Sequence, residues 1–182
     1  MRLLTLLLAA ASLQAQTPCA GLPPGKHSLL ERFTEQFGLT CEQQLKIEPL
    51  LHAEESVSKP LLAFAAFSPE EQRAVMTKIK LAARRQIKSM LTPDQQKEMD
   101  KEIESVAASA TKGGKKGAPK KEPPKVDPFE SEEGLSQAIL NYAALTPEEK
   151  TALVLQVKRA ARTGLTPDQQ KKIDADITKL MK

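Results

Sequence analysis

Five times along the chain an apolar residue is followed by Ser or Thr, then Pro or Cys, then an acidic residue, then Glu or Gln. The copies are Leu39-Thr-Cys-Glu-Gln43, Phe67-Ser-Pro-Glu-Glu71, Leu91-Thr-Pro-Asp-Gln95, Leu145-Thr-Pro-Glu-Glu149 and Leu165-Thr-Pro-Asp-Gln169. Each reads as a helix start. The hydroxyl caps a free backbone N–H, the Glu or Gln three positions on reaches back to close a capping box, and Pro at the first helical position has no N–H to strand. The pattern predicts helices from Ser28 to Phe37, where Gly38 supplies a left-handed stop, and from Thr40 toward Phe67. Further helices are predicted from Ser68 to about Met90 and from Pro93 to about Ala107. Pro49 interrupts the second helix and Pro60 falls near its end, so kinks are expected there. The position that would staple the preceding Leu or Phe is polar, being Gln44, Gln72, Gln96, Lys150 or Gln170. That Leu or Phe must therefore pack on another helix.

The chain is also duplicated. Leu61 to Arg84 aligns without gaps to Ile139 to Arg162, so that Phe64 matches Tyr142, Lys80 matches Lys158 and Arg84 matches Arg162. LTPDQQKEMDKEI and LTPDQQKKIDADI follow, but the second arrives four residues early because Thr163-Gly164 replaces Arg85 to Met90. Four residues are close to one helical turn, so the deletion shortens a helix while nearly preserving its facing.

On the helix after Ser68, Met76, Ile79, Ala83, Ile87 and Met90 recur at helical spacing as one apolar stripe. Arg73, Lys80, Arg84 and Lys88 form a basic ridge beside it, and the second copy keeps Lys158 and Arg162. Helices of more than about 20 residues are roughly 30 Å or longer, which predicts a thin, elongated helical hairpin. Such a hairpin leaves the stripe to be covered by a second subunit, the C-terminal copy or a client chain. Met76, Ile79, Lys80, Arg84, Ile87, Lys88, Met90, Lys158 and Arg162 are accordingly the candidate client-binding residues.

Composition narrows the function. Among 182 residues, aromatics make up 3%, Trp is absent, and there are two His and two Cys. The core must be aliphatic and helical, and no cofactor or metal constellation, Gly-rich phosphate loop or nucleophile elbow is legible, which argues against an enzyme. Residues 1–16 read as a secretory signal peptide, its apolar run too short to span a bilayer of roughly 30 Å. A periplasmic or secreted location follows, with no membrane span. Export permits a disulfide between Cys19 and Cys41; two free thiols or an intermolecular bond are the alternatives. The net charge of +4 resides in Ser109 to Pro128, which has six Lys against Glu122 and Asp127. With its Pro and Gly it reads as a disordered linker over 109–133, separating a helical module at 17–108 from a partial repeat at 134–182. Near-neutral flanking modules without aromatic stacking residues disfavour nucleic acid.

Three strict L-T-x-x-Q matches, Leu39 to Gln43, Leu91 to Gln95 and Leu165 to Gln169, in a small exported helical protein resemble the Spy/CpxP family. The resemblance implies an all-α antiparallel hairpin that dimerises into a curved cradle. It further implies an ATP-independent periplasmic chaperone or stress-response regulator that binds unfolded or partly folded clients. Leu39, Thr40, Gln43, Leu91, Thr92 and Gln95 would be structural corners, with Leu165, Thr166 and Gln169 as the third copy. The Cys pair, Pro49, the Lys-rich linker and the truncated repeat depart from the family pattern. A metal-responsive sensor is the alternative, because related exported proteins include heavy-metal sensors and His52 has Glu48 and Glu55 about one turn to either side.

Overall fold

The computed structural model describes Cys19, residues 28–111 and residues 128–181. The expected signal peptide and most of the expected linker lie outside the described residues. The fold is all-α: α1 Ser28–Phe37, α2 Cys41–Ala63, α3 Pro69–Lys88, α4 Pro93–Thr111, α5 Pro128–Asn141, α6 Pro147–Ala161 and α7 Pro167–Leu180. A 3₁₀ turn, Arg162–Gly164, separates the last two.

All five box motifs open a helix. The Ser or Thr side chain accepts from the backbone N–H three residues on, and that residue's side chain accepts from the cap N–H, at Thr40, Ser68, Thr146 and Thr166 and at Thr92. Leu39, Phe67, Leu91, Leu145 and Leu165 are all buried. The following Gln was unreadable as a staple but has another use. Gln44, Gln96 and Gln170 donate through Nε2 to the carbonyls of Leu39, Leu91 and Leu165, and Gln72 donates to that of Phe64. Each therefore ties the incoming loop to the helix it precedes.

Three boundaries differ from expectation, the first being α4, which runs to Thr111, past Ala107 and into the segment expected to be linker. α2 runs unbroken through both prolines and stops at Ala63. Ile47, Leu50 and Leu51 are buried around Pro49, so packing outweighs the roughly 3 kcal/mol that an interior proline costs. α5 begins at Pro128, inside the segment expected to be linker, because its first turns pack: Phe129 lies against the core and Glu132 is buried. Gly38, at φ 62°, provides the expected left-handed stop after α1.

Two apolar clusters hold the helices. Leu30, Phe33, Phe37, Ile47, Leu51, Ile87, Leu91 and Met99 join α1, the start of α2, the end of α3 and α4. The second joins Val57, Leu61, Phe64, Val75 and Ile79 of the first copy to Leu135, Ile139, Tyr142, Leu153 and Val157 of the second. The two copies thus pack on each other. The Tyr142 hydroxyl donates to the Ile79 carbonyl at 3.4 Å, and burial, then the Glu54 carboxylate, hold the phenol far above its ordinary range while Arg84 opposes them.

The corner between α2 and α4 is a reciprocal clasp of two L-T-x-x-Q motifs. Gln43 Nε2 donates to Gln95 Oε1 at 2.8 Å and to the Met90 carbonyl at 3.3 Å. Gln95 Nε2 donates to Gln43 Oε1 at 3.3 Å and to the Phe37 and Gly38 carbonyls at 3.0 and 3.3 Å. Gln169 makes only its own cap contacts among the described residues.

Each copy also buries a carboxylate. Glu54 pairs with Arg84, whose guanidinium carbon lies 4.8 Å from the Phe33 ring centroid. Glu132, the residue aligned with Glu54, pairs instead with Lys158 at 3.1 Å, and Lys158 also reaches Asp176 at 3.2 Å. Linear alignment equates Lys158 with Lys80, but the four-residue deletion has moved it by one turn. Counted back from the motif leucine, Arg84 and Lys158 both stand seven residues before it, and Lys88 and Arg162 both stand three before it. The second pair matches as well: Lys88 bonds Asp100 at 2.5 Å and Arg162 bonds Asp174 at 2.8 Å.

Removing one member of a buried pair strands the other charge. Glu54→Ala should cost about 3–5 kcal/mol in urea unfolding. Glu132→Ala should cost less, since Lys158 retains Asp176. Gln95→Ala should destabilise by about 2 kcal/mol, because it opens both halves of the clasp, whereas Gln169→Ala should cost about 1 kcal/mol as a single cap.

Candidate functional site

A surface that combines exposed apolar atoms with positive charge lies at the start of α3. Its capping box, Ser68 with Glu71, and Pro69 at the first helical position set the helix direction. Phe64 and Phe67, stacked edge to face at 4.9 Å, anchor the turn from α2. With that turn fixed, Leu61 and Phe64 face inward and Leu62 faces out, 65% exposed.

Gln72, Arg73, Met76, Thr77 and Lys80 follow at helical spacing along α3. Together with Leu62 and, across from them, Ser109 near the end of α4, they line an open groove of about 390 Å³. Met76 is half-buried and its Sδ accepts from the Ser58 hydroxyl at 3.3 Å, which seats it against α2. Arg73 and Lys80 have no carboxylate partner among the described residues, in contrast to Arg84, Lys88, Lys158 and Arg162. They stand seven residues, or two turns of about 10.5 Å, apart on one face. The groove thus sets the apolar Leu62 and Met76 among polar side chains, with two cations that have no carboxylate partner among the described residues.

The structure redistributes the residues singled out from the sequence. Met76 and Lys80 line the groove. Ile79 and Ile87 are fully buried, one under the second copy and the other in the cluster around α1 and α4, so neither offers a surface. Arg84 is 2% exposed and committed to Glu54. Met90 is half-buried against the same cluster as Ile87. Lys88, Lys158 and Arg162 are taken by carboxylates. The stripe on α3 is covered within the chain because α1 and α4 close one half of it and the C-terminal copy closes the other.

Leu62 and Ser109 were not foreseen. A signal for Leu62 existed in the sequence: in the run Leu61 to Phe67, the i, i+3 spacing of Leu61 and Phe64 leaves Leu62 off the inward face. Nothing in the sequence brings Ser109 to α3.

The remaining chemistry is sparse. Cys19 and Cys41 form a disulfide, with Cys41 in the first turn of α2. His52 is exposed, and Glu55 pairs with Lys59 at 3.2 Å. Among the described residues no three His, Cys, Asp or Glu side chains converge to hold a metal ion. No helix among them is long and apolar enough to cross a membrane.

The Ser68 backbone N–H, and then its hydroxyl, hold the Glu71 carboxyl below its usual range. Glu149 at the start of α6 is lowered chiefly by the Thr146 N–H, partly opposed by burial and aided by Arg85. A depressed folded pKa contributes stability that is present above the unfolded value and is lost as pH falls through the folded one. Stability should therefore fall as the pH drops below about 5, where the unfolded carboxylates begin to take up protons. Glu71→Gln keeps the box and should flatten that acid limb, as measured by melting temperature against pH. Comparison with known protein families, curated proteins and solved structures gives no match to this chain.

Proposed function

We propose that this protein is an exported, ATP-independent chaperone-like binder of unfolded or aggregation-prone polypeptides, and that the groove on α3 is its client-binding surface. The observation that carries the reading is Leu62, 65% exposed, sharing one groove with Met76 and with Arg73 and Lys80, which have no carboxylate partner among the described residues. Positive charge with no carboxylate partner among the described residues attracts acidic segments over a Debye length of about 10 Å. Leu62 and the pliable Met76 then hold apolar side chains without demanding one shape. Weak contact of this kind needs no nucleotide, which suits the resemblance to Spy/CpxP proteins.

Light scattering of an unfolding acidic client tests it. Wild-type protein should suppress aggregation, and Arg73→Glu with Lys80→Glu should require about tenfold more protein for half suppression. Leu62→Asp should also weaken suppression, while Arg162→Glu, on a residue already paired, should leave it near wild type. If wild type fails to suppress, or if both groove variants match it, the proposal is wrong.

A further inference from the structure

A second groove runs along the seam where α3 of the first copy meets α6 of the second. Leu81, Leu145, Ala152 and Leu153 form its apolar floor, and its cavity is about 210 Å³. At one end Arg85 and Glu149 bond across the seam at 2.6 Å, so their charges offset each other. Toward the other end Lys78 lines the groove and has no carboxylate partner among the described residues. Lys78 and Arg85 are seven residues, about 10.5 Å, apart along α3. Lys78, Leu81 and Arg85 sit about a third of a turn around α3 from Arg73, Met76 and Lys80, so this groove is separate from the one proposed for clients.

From this asymmetry we infer that the seam is a binding site for one free anionic amphiphile, a medium-chain carboxylate with its head on Lys78 and its tail over Leu81, Leu145, Ala152 and Leu153. An apolar channel with one net positive charge at its rim matches a ligand that carries one negative charge at the end of an apolar chain. A cationic head would meet Lys78 with like charge. The neutralised end at Arg85 and Glu149 offers nothing to a second anionic group, which selects a singly charged molecule over a dicarboxylate. The inference does not depend on chaperone activity.

The test is calorimetric titration of the full chain with dodecanoate below its micelle concentration. One saturable site is expected. Lys78→Glu should weaken binding by roughly tenfold or more, the loss of one charge-assisted contact. Ala152→Phe, at an exposed position, should block binding by filling the groove while the helical circular dichroism and melting temperature stay at wild-type values. Arg73→Glu with Lys80→Glu should bind dodecanoate normally, which separates this site from the client groove. Dodecyltrimethylammonium should bind poorly. Absent or unsaturable dodecanoate binding overturns the proposal, as does wild-type affinity in both Lys78→Glu and Ala152→Phe, or equal affinity for the cationic amphiphile. Sedimentation with phosphatidylglycerol vesicles in the absence of dodecanoate binding would overturn it too, by assigning the seam to a membrane surface.

Discussion

A capping box starts a helix by local chemistry, but it leaves an apolar residue just outside the first turn that the same helix does not cover. In this chain that residue occurs five times, at Leu39, Phe67, Leu91, Leu145 and Leu165, and every one is buried. Burying a Leu or Phe contributes about 1.5–3 kcal/mol, more than the cap itself. The corners consequently decide which helices meet. Glutamines in the first turn reinforce this at four of the five corners by donating back to the loop carbonyls, a hydrogen bond where a hydrophobic staple is lacking; at the Leu145 corner the position is Lys150.

Between the corners, the two copies solve one problem at two lengths. Each buries a glutamate on its first helix, Glu54 or Glu132, and each must meet it with a base on its second. A buried carboxylate without a partner is too costly to persist. When the second copy lost four residues, the base in reach became Lys158, one turn from the place that alignment with Arg84 assigns. Arg162 moved likewise into the position of Lys88 and found Asp174. Lys80 takes no part in this exchange; no carboxylate among the described residues pairs with it, and it lines the groove.

The stripe on α3 shows why apolar spacing alone does not identify a binding face. Ile79 and Ile87 lie on it two turns apart, but different parts of the chain cover them: the C-terminal copy over one, α1 and α4 over the other. What stays open is the edge of that coverage. Leu62 lies beyond the corner that buries Phe64 and Phe67, and the α3–α6 seam opens where the two copies diverge around the Arg85–Glu149 bridge.

Helix starts, helical class and the duplication were legible in the residues because capping acts across three positions and apolar periodicity across a few turns; both are written in adjacent letters. The same local logic overstated the effect of Pro49, since the packing of Ile47 and Leu50 that carries α2 through it comes from other helices. Of the candidate surface, Met76 and Lys80 could be read and Leu62 could have been, whereas Ser109 and the pairing of Arg84, Lys88, Lys158 and Arg162 could not. A charge takes the nearest opposite charge in space. For Arg84 that is Glu54, thirty residues away, and only the packing of α2 against α3 brings the two together. The sequence by itself determined where helices begin and which faces are apolar, and the tertiary structure alone decided which of those faces and charges were left uncovered.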